Sequence, residues 1–320
     1  MTDRPSPKQI EDPLMRELAI IGAGPAGLAA ALFATNQRIN TVLIAGEVGG
    51  QALHSTHVEN YMGFERIAGA ELVERFETQL HEHFVEYMVD NVSKLLHRGA
   101  HFELELKSGA VFQSRCVILA TGMTPNQLRV PGENQFINRG VSYFADHYGP
   151  TAHGKNVLVA GGGNSGLQAV LEVASVAADV KVVTRHGWTG DPDKIAAVSK
   201  FDNVEMLESW NVVRLEGDDR LRSVVVAQAG GDERTLPIDL VFVEIGFRPN
   251  TDLVKGLAEL NERGEVIVSR ENETNVPGLF AAGDCTTGLG KEIAVAVGDG
   301  ARAALSAKRF IRRRGWQEGG

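Results

Sequence analysis

Two short stretches of this chain have the residues to cradle a phosphate. Gly22, Gly24 and Gly27 stand in "GAGPAG", and Gly161, Gly163 and Gly166 stand in "GGGNSG", both spaced G-x-G-x-x-G. At that spacing the first glycine makes a tight turn, the second lets backbone approach a pyrophosphate, and the third lets a helix pack closely on a strand. The helix that follows offers free N–H groups and a partial positive charge to the phosphates. One such match is weak, because glycine-rich turns are common. Two, each between an apolar strand and a helical pattern, are specific. An acid adds to them: "FAAGDC" ends an apolar run with Gly283 and Asp284, shortly before another helix. The ordinary alternative for Asp284 is a helix N-cap.

The elements around these turns repeat one plan. "ELAII" (17–21) and "NVLVA" (156–160) are short apolar strands, each followed by its glycine turn and a helix, from about Leu28 and to about Ala177. Further apolar strands end at Ile44 and Val183, which completes two βαβ units. "FELELKSGAVFQS" and "SVVVAQAGGDERTLPI" alternate about a turn as hairpins do. Each precedes an apolar strand that closes on glycine, at Gly122 and Gly246. The pattern predicts an α/β protein of two doubly wound Rossmann-like dinucleotide-binding domains, each a three-layer ββα arrangement. "GEVIVSRENETNVPGLFAAGDCTT" predicts a strand, a turn and a strand, and "EIAVAVGDGARAALSAKRFI" a long helix. That helix needs the first sheet to cover, so the second domain is predicted to be inserted into the first. The expected division is an extension over 1–16, a first domain over 17–128 and 247–320, and a second over 129–246.

Two dinucleotide sites in one chain imply that one dinucleotide reduces the other, and flavin with nicotinamide is the usual pair. Asp284 beside a helix start places the flavin in the first domain. The net charge of -9 over 320 residues argues against a nucleic-acid partner. Cys116 and Cys285 are the only cysteines, far apart in sequence, so neither a disulfide framework nor a metal-ligand cluster is expected. No apolar run reaches membrane-spanning length and the first residues lack a signal-peptide core, so the expectation is a soluble cytoplasmic protein with no membrane and no metal. One stretch departs from the acidic balance. "KRFIRRR", Lys308 to Arg314, reads first as a solvated helix end suited to the helix dipole and second as a docking patch for an acidic partner.

"IIGAGPAGLAAALFA", "GGQALHSTHVENYMGF", "ATGMTPNQLRVPGE", "GGGNSG", "ETNVPGLFAAGDCTT" and "VAVGDGARAALSAKRF" together resemble low-molecular-weight thioredoxin reductases. They resemble the reductase part of the alkyl hydroperoxide reductase flavoprotein still more closely. The likeness runs from about Glu17 to Arg312, and it implies FAD in the outer domain, NADPH or NADH in the inserted one, and a homodimer. By position it implies that Gly22, Gly24, Pro25, Ala26 and Gly27 hold the FAD pyrophosphate, and that Gly49, Gly50, Gln51 and Asn60 lie along the flavin. Thr121 and Gly122 would flank the adenosine side. Gly283, Asp284, Lys291, Glu292 and Ile293 would meet the ribityl chain and flavin. Glu292 stands where the family usually has glutamine. For the nicotinamide nucleotide the implied residues are Gly161, Gly163, Asn164, Ser165 and Gly166. Arg185 and His186 follow the second strand, where arginine favours the 2′-phosphate of NADP.

The likeness also exposes a departure. Relatives carry Cys-x-x-Cys just before the second glycine turn, whereas this chain reads "GVSYFADHYGP", with Phe144 and His147 in the cysteine positions. Dithiol exchange by the family's route is therefore not expected. Three readings stay open. One is an NAD(P)H oxidoreductase that passes electrons from flavin to ferredoxin or flavodoxin, a quinone, a small disulfide or oxygen, with His147 at the flavin face. Another is a non-catalytic FAD-binding redox sensor or structural protein. The third is a flavoenzyme reduced by a protein donor such as ferredoxin, with a degenerate nicotinamide site.

Overall fold

The structure is a computed structural model that describes residues 15–55, 58–83, 85–143, 150–228, 231 and 233–316. Phe144 and His147 lie outside the described residues. β1 (Met15–Ala23) leads through Gly24 into α1 (Pro25–Asn36), followed by β2 (Thr41–Val48), α2 (Gly69–His81) and β3 (Glu86–Val89). The hairpin β4 (Val92–His97) and β5 (Phe102–Leu106) precedes β6 (Val111–Leu119) and β7 (Met123–Pro125). Next come α3 (Glu133–Phe136), β8 (Val141–Ser142), β9 (Asn156–Ala160), α4 (Asn164–Val173), β10 (Asp179–Thr184), α5 (Pro192–Val198) and β11 (Val204–Glu208). Three strands, β12 (Trp210–Gly217), β13 (Leu221–Gln228) and β14 (Glu233–Pro237), lead to β15 (Leu240–Val243) and β16 (Phe247–Pro249). β17 (Leu279–Ala281) and α6 (Ile293–Arg313) come last.

Two compact units result. One comprises the chain up to Leu53, Glu59–Met123 and the chain from Pro249; the other comprises His54–Val58 and Thr124–Arg248. The chain passes between them inside β7 and β16, which pair as a two-stranded sheet, rather than at 128–129 and 246–247.

In the first unit the strand order is β3-β2-β1-β6-β5-β4, with β17 also on β6. β6 serves two ladders along its length. Its first half pairs antiparallel with β5, and its second half, Val117 to Leu119, pairs parallel with β17. Because successive side chains point to opposite faces of a strand, each central strand feeds two cores. Leu18, Ile20, Cys116, Ile118 and Phe280 pack with α1 and α6, while Ala19, Ile21, Val117, Leu119 and Leu279 pack with the β4–β5 hairpin. Continuous apolar strands with two buried faces are what a parallel sheet covered on both sides requires.

The second unit has a parallel sheet ordered β11-β10-β9-β15-β8 and an antiparallel sheet ordered β12-β13-β14. Val157, Val159 and Phe242 pack toward α4, and Leu158, Val241 and Val243 pack toward the antiparallel sheet. Two local expectations are corrected. "GEVIVS" forms no strand: Val266 makes isolated bridges to Leu260 and to Thr286, donating to the Cys285 carbonyl and accepting from Thr287, and neither extends into a ladder. α4 ends at Val173 rather than near Ala177, because the Val176 and Ala177 amides both turn back to the Val173 carbonyl.

Candidate functional site: two glycine turns

In the first unit, Gly22 sits at φ +104, and a Cβ there would run into the Ala120 carbonyl oxygen just after β6. A Cβ on Gly27 would meet the Gly22 carbonyl oxygen. Both glycines are therefore required by close packing of α1 on the sheet. Gly24 differs, because a Cβ there would meet nothing within 4 Å. It has extended backbone, caps α1 without any side-chain hydrogen bond, and is followed by Pro25 at the first helical turn. Ala26 packs beneath this turn, against Gly283 and Gly300 of the distant C-terminal segment. The open side of Gly24 faces a helix start with unclaimed N–H groups, which is the requirement for an anion.

The segment after β2 closes onto that turn. The Gly49 amide donates to the Ala23 carbonyl at 2.8 Å, and Gly50 approaches so closely that its Cβ would lie 3.3 Å from Gly24 Cα. Gln51 Nε2 donates to the Met123 carbonyl at 2.8 Å. Thr121 and Gly122 are tied to Asn250 reciprocally: Thr121 Oγ1 donates to the Asn250 carbonyl at 2.6 Å, and the Asn250 side chain and amide donate back to Thr121 and Gly122 at 2.9 Å.

The start of α6 supplies the charged groups. Burial pushes the Asp284 carboxyl above its ordinary value, Glu292 and Asp299 add to this, and Lys291 opposes it. Lys291 Nζ is held by the Asp284 and Thr286 carbonyls and by Glu265, 3.0 Å away. Glu292 occupies the N-cap position just before Ile293, yet its carboxylate makes no cap bond and instead accepts from Asn60 Nδ2 at 2.9 Å. So one polar contact joins the "VENY" segment to the helix that follows "GDC". Cys285 is fully buried, its Sγ donating to the Ala282 and Leu119 carbonyls, and burial pushes its thiol up.

The second unit repeats the glycine geometry. Gly161 has φ +133 and packs on the Glu244 carbonyl of the crossing strand, Gly166 packs on the Gly161 carbonyl, and Gly163 faces open space apart from Thr189 Oγ1 at 3.9 Å. Here the segment after β10 lies closer. The Thr189 amide donates to the Gly162 carbonyl at 2.8 Å, and the Asp191 amide donates to Asn164 Oδ1 at 2.7 Å. Asn164 and Ser165 open α4 and are exposed, as are Arg185 and His186 beyond β10. Thr184, which ends that strand, is buried and turns the chain by accepting from the Gly187 amide at 2.9 Å.

Sequence pattern alone missed three residues that brace these sites. Asn250 is one, and Glu265, which fixes Lys291, is another. The third is Glu133, only 3% exposed, which accepts from the Leu128 and Arg129 amides and from the Tyr143 hydroxyl at 2.6–2.9 Å. Burial and this carboxylate push the Tyr143 hydroxyl well above its usual range. The "PGE" turn after a strand was the available signal for Glu133.

Among the described residues no cluster of His, Cys, Asp and Glu could hold a metal, and no helix is long and apolar enough to cross a membrane. Residues 16–300 match the family model described as pyridine nucleotide-disulphide oxidoreductase. The chain is 36% identical over 299 residues to an NADH dehydrogenase of Bacillus subtilis, covering 93% of this chain and 59% of that protein. It is 36% identical over 303 residues to a subunit of the Xanthomonas campestris alkyl hydroperoxide reductase, covering 91% and 56%. The chain thus spans about three-fifths of the length of these curated relatives. Among solved structures it superposes on a Lactococcus lactis thioredoxin reductase with TM-score 0.78 and 29% identity, covering 93% of this chain and 99% of that one. Two glycine turns of one geometry, each on its own parallel sheet, and a sequence match over most of the chain lead to one conclusion: the chain belongs to the pyridine nucleotide-disulphide oxidoreductase family.

Proposed function

We propose that the chain is an FAD-dependent NAD(P)H oxidoreductase that passes electrons to an acceptor other than a thioredoxin disulfide. The observation that carries this reading is the pair of open glycines, Gly24 and Gly163, each at a helix start whose flanking glycines are packed solid. FAD fits the first turn: the space at Gly24, the backbone of Gly49 and Gly50, and the side chains of Gln51, Asn60, Asp284 and Glu292 converge from four separate chain segments. When bound, FAD supplies a two-electron carrier for hydride from nicotinamide. The α1 N–H groups would hold its pyrophosphate, and Lys291 holds the 284–292 segment in place. The Asn60–Glu292 bond fixes a carboxylate at the start of α6, which would disfavour added negative charge on a flavin held there.

The cysteines argue against a thioredoxin disulfide as acceptor. Cys116 and Cys285 are both free and both buried, and burial pushes the Cys116 thiol up to about 12. Neither is available as a thiolate at neutral pH, and residues 144 and 147 are Phe and His. A second reading, an FAD-binding sensor without nicotinamide turnover, draws support from the Thr189 and Asp191 amides, which already engage the second turn. Assembly as a homodimer belongs to the same proposal, with mass by light scattering as its check. The deciding experiment is anaerobic mixing of the yellow protein with NADPH and with NADH. Rapid bleaching supports the oxidoreductase, no bleaching with either nucleotide sinks it, and efficient turnover with thioredoxin would overturn the argument from the cysteines.

A further inference from the structure

The basic run at the end of α6 plays no part in either glycine turn. α6 starts beside Asp284 and spans 21 residues, so at about 1.5 Å per residue its far end lies roughly 30 Å away. There it carries five cations in seven residues: Lys308, Arg309, Arg312, Arg313 and Arg314. The four arginines are exposed. Among the described residues none of the five pairs with a carboxylate. Arg309 donates to Ser306 Oγ at 3.1 Å, and Arg314 lies over the rings of Phe310 and Trp316. Several cations elsewhere are paired, in contrast: Arg302, earlier on the same helix, pairs with Asp299, and Arg16, Lys181 and Arg214 have carboxylates within 2.6–2.8 Å. The helix dipole accounts for cations in the last turn only. It leaves Lys308 and Arg309 unexplained on a chain of net charge -9.

We propose that this end of α6 is a docking surface for an anionic phospholipid bilayer. Clusters of four to eight Lys and Arg on an amphipathic helix are attracted to anionic headgroups, and the arginine fork matches phosphate oxygens two at a time. Trp316 stands beside the cations, its ring held by Phe310 at 6.0 Å and by Arg115 at 5.5 Å. Tryptophan favours the headgroup level of a membrane, where its ring is half in apolar surroundings and half wet. Leu305, 40% exposed, lies one turn before Arg309 on the same face. Exposed arginines on one helix end can meet a plane of phosphates several at once. The distance of this helix end from Asp284 separates it from the proposed flavin site. Association is peripheral, since no helix among the described residues spans a membrane.

The test is co-sedimentation of the purified flavoprotein with vesicles of phosphatidylglycerol and phosphatidylcholine against vesicles of phosphatidylcholine alone. The protein is expected to pellet with the first and not the second, and to be released by salt. Arg309→Gln, Arg312→Gln and Arg313→Gln together should weaken partitioning on the order of a hundredfold, with an unchanged unfolding midpoint, because these side chains touch little else. Failure to pellet with phosphatidylglycerol at low salt overturns the proposal, as does equal pelleting with phosphatidylcholine or by the triple variant. Competition by polyglutamate or duplex DNA at equal charge also overturns it, in favour of a protein or nucleic-acid partner.

Discussion

The two glycine turns share a backbone plan but are dressed differently. In both, the first and third glycines are fixed by packing against carbonyl oxygens and the second is left open. Around Gly24 the neighbouring segment contributes more glycine, Gly49 and Gly50, and a second helix brings Asp284, Lys291 and Glu292. Around Gly163 the neighbouring segment is Trp188 and Thr189, and the second helix start, that of α5, contributes a backbone amide, that of Asp191, which donates to Asn164 Oδ1. A turn surrounded by backbone and braced polar groups suits a ligand that stays. One bordered by an exposed arginine and a loop that is already hydrogen-bonded suits a ligand that comes and goes.

Substitution of the packed and the open glycines should separate fold from ligand most sharply. Gly27→Ala has no room against the Gly22 carbonyl, so it is expected to cost about 3 kcal/mol and to lose flavin as well. Gly24→Ala should leave the unfolding midpoint of cofactor-free protein nearly unchanged while abolishing flavin absorbance. Equal destabilisation by both would show that the open glycine is structural.

A smaller effect is expected at the second turn. Arg185→Ala should weaken NADPH about tenfold, the loss of one charge-assisted hydrogen bond, and leave NADH unchanged, as read by flavin bleaching at graded nucleotide concentrations. An identical loss for both nucleotides would remove Arg185 from the 2′-phosphate.

Asp284 gives a pH-dependent test of the first turn alone. Its carboxyl is raised by burial, so folding disfavours its ionised form, and the penalty is fully present above the raised value. It disappears as pH falls toward the ordinary aspartate range, where both states are protonated. Asp284→Asn should therefore stabilise cofactor-free protein against denaturant at neutral pH, with the advantage shrinking in acid. An advantage that grows in acid would contradict a raised carboxyl. The smallest change is expected from the thiols: a disulfide reagent should find none in the native protein and two after denaturation.

The glycine spacings, the two hairpins and the long last helix were legible because each is a local pattern with a single backbone consequence. Contacts set by tertiary approach were not. Glu292 reads as an isolated departure from glutamine, and only the fold brings Asn60, 232 residues earlier, to its carboxylate. "GEVIVS" has the composition of a strand, yet its pairing stops at two isolated bridges at Val266, and no periodicity announces that. Glu133 looks like any acid after a turn until burial and three donors reveal it as a brace for Tyr143.

The dependence of the first turn on α6 also bears on biosynthesis. Ala26 is emerging from the ribosome some 250 residues before Gly283 and Gly300, the glycines that press against it. The "GAGPAG" turn, the proposed half of a cofactor cradle, therefore lacks this support while the unit over Thr124–Arg248 is translated. Cofactor capture at this turn would then wait for Gly300, and flavin content in a cell extract would report on chains translated past that residue rather than on chains that have been started.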